Sequence, residues 1–264
     1  MNKIWAIVRK EWGEVFRHRM VLFSVAFMPL IFAAIPLGML YSMRGVTDAS
    51  EITDIGNLLE MAPMLCGSLA QLECAQFLLL QQFMILFLLV PVIIPVTIAS
   101  YSIVGEKTAR TLEPLLATPI TTGELLAGKT LAAAIPAIVA TLVGFGIFAV
   151  GTLLMAVSSA VVGQFFSALW MLGIFGVGPL LSIAGVSFAV MISSRVNDPR
   201  VAEQVSSLVM LPVLAVFMGQ IFGAVVVNLQ FMLLIAAGMV ALDIALIFFA
   251  RQLFQRESIL TRWK

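Results

Sequence analysis

The chain has 264 residues, 61% of them hydrophobic and 11% charged, a formal net charge of +1 and a mean hydropathy of +1.10. A soluble domain needs about a quarter of its residues charged to cover its surface, so lipid must cover much of this one. Two cysteines (Cys66 and Cys74) and one histidine (His18) exclude a disulfide-dense scaffold, a four-cysteine zinc site and His-rich metal centres; no nucleic-acid partner and no metal site are expected.

Residues 1–20 are charged and tryptophan-bearing. Ile4, Ile7 or Val8, Trp12, Val15 and Phe16 recur at helical spacing, with Arg9, Lys10, Glu14 and Arg17 on the other side. This pattern predicts a helix lying in the membrane interface, with tryptophans at headgroup depth; an ordinary solvated helix against a partner is the plainer alternative. The apolar run that follows is too long for a signal-peptide core, so no cleavable signal is expected and the first span directs insertion itself.

A bilayer core takes about 20 apolar residues per helix. Six stretches qualify, at 21–42, 77–100, 131–155, 165–192, 206–227 and 231–250. The expected fold is an all-α membrane protein, a single transmembrane domain over 1–264 with six transmembrane helices, an N-terminal interfacial elbow helix and a short cytoplasmic coupling helix. The fifth and sixth spans are separated by Asn228, Leu229 and Gln230 alone, which predicts a tight helical hairpin. With six spans, 14 of the 15 Lys and Arg residues fall on one side. Only Arg44 lies opposite, in the acidic 43–76 loop. The positive-inside rule then puts both termini in the cytoplasm and the 43–76 loop outside, in a multi-pass protein of the cytoplasmic (plasma) membrane.

The 43–76 loop gathers Met61, Met64, Cys66 and Cys74. Such soft ligands suit Cu(I), but a half-buried amphipathic helix or an external Cys66–Cys74 disulfide accounts for them equally. In the 77–100 span Gln81 and Gln82 are polar at membrane depth, as is Gln220 in the fifth span; helix–helix hydrogen bonding is the commoner use of such residues. Asp243 is the only acid well inside a predicted span, about two turns from its cytoplasmic end. It pairs with another helix or serves transport. Gln81, Gln82, Gln220 and Asp243 are the candidate translocation path. Pro91 and Pro95 interrupt the second span, Pro136 the third and Pro212 the fifth, while Gly173, Gly176, Gly178, Pro179, Ser182 and Gly185 crowd the fourth. Bends are expected where neighbours restore the lost backbone bonds.

The 101–130 loop is the most informative segment. Leu112, Leu115 and Leu116 fall on one helical face among charges, and Pro119 ends the pattern. A short amphipathic helix between two spans must rest on lipid, on its own bundle or on a soluble partner. "GEKTARTLEPLLATPITTGELLAGKTLAA" resembles the loop between the second and third spans of ABC type-2 transporter permeases. Glu106, Lys107, Thr111, Leu112, Glu113, Leu115, Leu116, Thr118, Pro119, Gly128 and Lys129 match that pattern; Arg110 stands where glycine is usual and Thr108 where an acid is common. The opening "IVRKEWGEVFRHRMVLF" and the later "SSRVNDPRVAEQVSSLVMLP" are similar to other segments of the same family. The resemblance implies a permease subunit of an exporter whose coupling helix, Glu106 to Pro119 with Arg110, presses on a separate cytoplasmic ABC ATPase subunit. Arg195, Asp198, Arg200 and Glu203 would form a second contact. It implies a second permease copy or paralogue as dimer partner, membrane lipid around the spans, and ATP and Mg bound by the ATPase rather than by this chain.

Gly123-Glu124-Leu125-Leu126-Ala127-Gly128-Lys129-Thr130 satisfies the phosphate-loop pattern G-x-x-x-x-G-K-[ST] letter for letter. That pattern works only behind a strand held in a parallel sheet. Here a proline-bounded loop precedes it, so the expected reading is a polar helix start with Lys129 snorkelling to the headgroups. Two other functions compete with the permease: a self-contained secondary transporter or channel using Asp243, and an intramembrane enzyme. His18, the one histidine, lies outside the spans, so His-dependent hydrolysis finds no base at membrane depth.

Overall fold

Two carbonyls that prolines leave open inside helices, Pro91 O and Ala132 O, receive side-chain donors from neighbouring helices. The computed structural model describes residues 3–17, 19–43, 66, 71–108, 120–156 and 158–253, and those residues contain no β-strand. The helices are α1 (Lys3–Val15), α2 (Arg19–Ser42), α3 (Gln71–Phe87), α4 (Val90–Thr108), α5 (Thr122–Met155), α6 (Ser159–Phe165) and α7 (Ala168–Met171), which runs through a π-helical turn (Leu172–Val177) into α8 (Gly178–Ser193). Then come α9 (Pro199–Ser206), a 3₁₀ turn (Ser207–Met210), α10 (Leu211–Ile221) and α11 (Leu229–Leu253). Six helical stretches among the described residues are long and apolar enough to cross a membrane. The second, α3 with α4, is the central one and is buried along most of its length; the fifth and sixth lie at the periphery.

The second span breaks at Leu88 and Leu89. Leu88 N–H is shared between the carbonyls of Met84 (3.2 Å) and Ile85 (3.1 Å), and Leu89 N–H turns back to Leu86 O at 3.0 Å. Pro91 then sits in the first turn of α4, where a missing N–H costs nothing. Pro95 is less benign, because it removes the donor that Pro91 O would receive inside the helix. Ser182 Oγ of α8 donates to that carbonyl at 2.8 Å and is fully buried. Gly185, one turn on, lets α8 close on α4: a Cβ there would lie 3.4 Å from Val92 O. Ahead of Pro179 the chain widens into the π turn, with Gly178 N–H bonding to Gly173 O; such single-turn insertions arise where the regular ladder is interrupted. Near the second-span break, Phe87 of α3 stacks on Phe148 of α5 (6.2 Å), which meets the buried Trp170 of α7 at 5.9 Å.

The connection between the fifth and sixth spans is longer than the expected three-residue hairpin. Helix α10 stops at Ile221. Gly223 takes φ 67°, a left-handed value that suits glycine, and the N–H groups of Ala224 and Val225 close back onto Gly219 O at 2.8 and 3.0 Å. This helix-terminating turn is a local glycine signal that the continuous apolar run through Val227 hides. Asn228 Oδ1 then caps α11 by accepting from Phe231 N–H at 2.8 Å. The third span begins earlier than hydropathy suggests. Thr121 and Glu124 form a reciprocal capping box that starts α5 at Thr122.

Contacts collect the charged ends together. Helix α1 packs on the start of α5, Lys107 at the end of α4 reaches Ser194 O, and Arg251 of α11 lines a groove with Gly123 of α5. At the opposite end a disulfide joins Cys66 and Cys74, with their Cα atoms 5.4 Å apart. Both are buried beside Leu78, and the bond rules out the Cu(I)-thiolate pair.

Ser182→Ala leaves Pro91 O without its donor in a buried setting. We expect a loss of about 1 kcal/mol, seen as a lower midpoint of thermal unfolding in detergent; an unchanged midpoint would show that the bond does not secure α8 to α4.

Candidate functional site

The charged end contains a four-residue ion cluster that hydropathy does not reveal. Lys129, one of the least exposed charged side chains at 4%, extends from the second turn of α5 inside the bundle. Its Nζ lies 2.8 Å from Glu11 Oε1 of α1 and 2.7 Å from Glu106 Oε2 of α4, and it donates to Ser102 Oγ at 2.9 Å. Ser102 in turn donates to Glu11. Lys10 closes the cluster by pairing with Glu106 and lies 3.7 Å from Glu11. Lys10 also pairs with the exposed Glu14 at 3.3 Å, so two cations face two buried carboxylates and one exposed carboxylate. Lys129 is therefore not a headgroup-seeking side chain, as its position at the end of a span implied. Its partners come from Glu11 and Glu106, neither of which is a sequence neighbour.

Two further features fix α1 on α5. Pro136 leaves Ala132 O without its intrahelical donor, and Trp12 Nε1–H donates to that carbonyl at 2.9 Å. Gly128 admits Ile7, whose Cβ would sit 2.8 Å from any Cβ at position 128. Trp5 meets Trp12 edge to face with ring centroids 5.7 Å apart. Helix α1 is amphipathic as expected, but its buried face, with Ile7, Val8 and Val15, also includes an acid, Glu11. Glu11 was not singled out by sequence; an acid on the apolar side of an amphipathic helix was the available signal.

Glu11 illustrates how the cluster balances. Burial pushes its carboxyl up, but the Lys129 charge and hydrogen bonds from Lys129 and Ser102, with Lys10 nearby, outweigh this and hold it below the usual 4.5. For Lys10, partial burial pushes the ammonium down, while the hydrogen bond to Glu106 and the charges of Glu106, Glu11 and Glu14 raise it above 10.5.

Among the expected coupling residues, Glu106 is in the cluster, and Lys107 donates to the carbonyls of Ser194 (3.3 Å) and Val196 (3.4 Å). Arg110, Thr111, Leu112, Glu113, Leu115, Leu116, Thr118 and Pro119 lie outside the described residues, as do His18, Met61 and Met64. In the second group, Arg195, Asp198 and Arg200 are exposed, and Asp198 caps α9 by accepting from Arg200 N–H at 2.8 Å. Glu203 instead turns inward and accepts from Thr97 Oγ1 of α4 at 2.6 Å. The phosphate-loop lookalike forms the first turns of α5; a regular helix with its lysine held by two carboxylates does not wrap a phosphate.

Among the four candidate path residues, Asp243 stands apart from Gln81. Gln81 Nε2 donates to Val227 O at 2.9 Å near the disulfide end, and Gln220 is buried in α10. Gln82 Oε1 and Nε2 have no hydrogen-bond partner among the described residues. Asp243 follows the start of α11 by 14 residues, roughly 20 Å along the helix axis. It is 5% exposed, and neither carboxylate oxygen has a hydrogen-bond partner among the described residues.

Six apolar spans knit by bends with restored backbone bonds, and a buried ion cluster at one end, define a polytopic α-helical membrane protein. The chain belongs to the family described as ABC-2 family transporter protein, which it matches over residues 5–255. It is also similar to a protein of Stutzerimonas stutzeri described as "Probable ABC transporter permease protein NosY", with 30% identity over 199 residues, 75% of this chain and 62% of that protein. The aligned part is thus less than two thirds of the relative's length.

Lys129→Met strands the buried Glu11 while Glu106 keeps Lys10, and removing one partner of a buried ion pair costs about 3–5 kcal/mol. The double replacement Glu11→Gln/Lys129→Met leaves Glu106 balanced by Lys10 and is expected to unfold at a temperature between the single variant and the parent. A single variant as stable as the parent would refute the structural role of the cluster. The pH dependence carries a sign on each side. With Glu11 depressed, its contribution is present above about pH 4.5 and lost as pH falls through its lower folded value. With Lys10 raised, its contribution is present at neutral pH and lost only as pH climbs through a value above 10.5. Protease cleavage within α1 is expected to accelerate outside that window and not within it.

Proposed function

We propose that this chain is the permease subunit of an ABC exporter, moving its substrate across the cytoplasmic membrane with ATP and Mg bound by a separate ATPase subunit. The observation that carries this reading is the position of the ion cluster. Glu106 lies just before the 109–119 segment and Lys129 just after it, and both are fixed to α1 through Glu11 and Lys10. Displacement of 109–119 by a partner is delivered to three helices together. An ATPase shifts this equilibrium only by contacting its two nucleotide states differently.

In this reading Glu106, Lys107, Arg110, Thr111, Leu112, Glu113, Leu115, Leu116, Thr118 and Pro119 form or support the principal ATPase contact. Arg195, Asp198 and Arg200 present the second, with Glu203 positioning α9 from inside through Thr97. The charged end faces the cytoplasm by the positive-inside rule; the Cys66–Cys74 disulfide at the other end suits an oxidising exterior. Exposed Val201, Val205, Leu208, Leu211, Met218 and Phe222 recur at helical spacing along the fifth span, an apolar stripe for lipid or for the second copy or paralogue of a dimer. Gln81, Gln82 and Gln220 sit toward the exit end of the path.

A second reading, a self-contained transporter coupled to an ion at Asp243, draws on that residue's buried, unpartnered carboxylate. Purification from native membranes separates the two. The permease is expected to retain an ABC ATPase, and Leu112→Asp/Leu115→Asp is expected to lower its recovery about tenfold, the loss a disrupted interface hot spot brings, without changing the elution volume of the permease. Undiminished recovery would contradict the coupling role; transport by the permease alone, abolished by Asp243→Asn, would favour the second reading.

A further inference from the structure

A groove between the third, fourth and sixth spans opens at the charged end. It is lined by Leu131 and Ile138 of α5, Ile183 and Val190 of α8, and Ile247 and Arg251 of α11, and has a volume of about 360 Å³, within the range of small-ligand clefts. Leu131 and Ile247 are 42% and 38% exposed, so the groove opens on the bundle surface where acyl chains run. Its walls are apolar apart from the hydroxyls of Thr130 and Ser187, and Arg251 is its one charged lining residue. Arg251 forms no ion pair among the described residues, and Glu124, the nearest acid in sequence on α5, turns instead toward Lys3 at 3.9 Å.

We propose that this groove binds one phospholipid of the adjoining leaflet, with an acyl chain along Leu131, Ile183 and Ile247 and the anionic headgroup on Arg251. Charge complementarity selects this occupant: an arginine with no ion pair among the described residues, beside an apolar slot, fits a phosphate bearing a hydrocarbon tail. The contrast within the molecule is a larger groove of about 480 Å³ between α2 and α5, lined by Trp12, Phe16, Pro29 and Ile135 among others, with no charged side chain. That groove offers a chain no headgroup partner. Because the lipid would wedge between α5 and α11, whose mutual contacts are few, its occupancy sets how the sixth span rests against the third.

The test is a titration of the full-length purified protein followed by native mass spectrometry, with dioleoyl phosphatidylglycerol, dioleoyl phosphatidylcholine and dioleoylglycerol as separate probes. The parent is expected to bind one phosphatidylglycerol more tightly than either other lipid. Arg251→Gln is expected to weaken that binding about fivefold, the effect of losing one basic side chain near a leaflet surface, and to abolish the preference over dioleoylglycerol. Ala127→Phe, which fills the groove and leaves Arg251 in place, is expected to lose the site for all three lipids. Arg9→Gln, on the exposed face of α1, serves as the control and keeps the preference. Equal retention of all three lipids by the parent and Arg251→Gln would overturn the proposal as annular lipid only. A loss of dimer by Ala127→Phe with lipid binding unchanged would overturn it in favour of a second copy seated in the groove.

Discussion

Lys129 is the constraint on which the charged end of this protein depends. An ammonium with 4% of its surface exposed is tolerable only with carboxylates close by, since an unpaired buried ion carries a penalty of several kcal/mol. Glu11 and Glu106 supply them from two different helices, so neutralising the lysine also specifies where α1 and the end of α4 must lie. Burial of the pair adds little net stability by itself; what it adds is position. The helix that precedes the first span cannot shift against α5 without stranding charge.

The same end shows how this chain handles its prolines. Ala132 O and Pro91 O both lose their intrahelical donors, and both receive one from another helix, Trp12 in the first case and Ser182 in the second. In hydrocarbon, an unmet carbonyl is costly enough that such bonds act as registration marks between helices. Trp12 neighbours Glu11, so the ion pair and the indole bond register α1 against α5 at adjacent points, with the Gly128–Ile7 contact just beyond. The α1–α4–α5 unit is therefore tied by charge, hydrogen bond and close packing together. By contrast, the fifth and sixth spans are the least buried of the six.

Hydropathy alone located the six spans, because 20-residue apolar runs have few other uses. Helix ends were less legible. The start of α5 was readable from Thr121 and Glu124 at capping-box spacing, and the stop of α10 from Gly219 and Gly223, yet the polar Glu124 and Lys129 drew the hydropathy boundary past the first and a continuous apolar run hid the second. The ion cluster was not legible: Glu11 and Lys129 are 118 positions apart, and no local pattern announces a pairing across that separation. Gly128 and Lys129 were noticed through a family resemblance and through a phosphate-loop lookalike, and their observed work, admitting Ile7 and neutralising two acids, belongs to neither. Asp243 was left between pairing with another helix and serving transport, and it has no hydrogen-bond partner among the described residues; side-chain pairing depends on the facing helix rather than on its own.

The central claim is that α1, the end of α4 and the start of α5 move as one body when the ATPase acts on 109–119. It is tested most directly by pulsed electron resonance on the reconstituted complex. Spin labels would be placed at Arg9 and Thr122, and separately at Arg9 and Gln252; Cys66 and Cys74, joined to each other, take no label. The account predicts an Arg9–Thr122 distance that is the same with and without a non-hydrolysable ATP analogue, and an Arg9–Gln252 distance that changes. A nucleotide-dependent shift between Arg9 and Thr122 would contradict it.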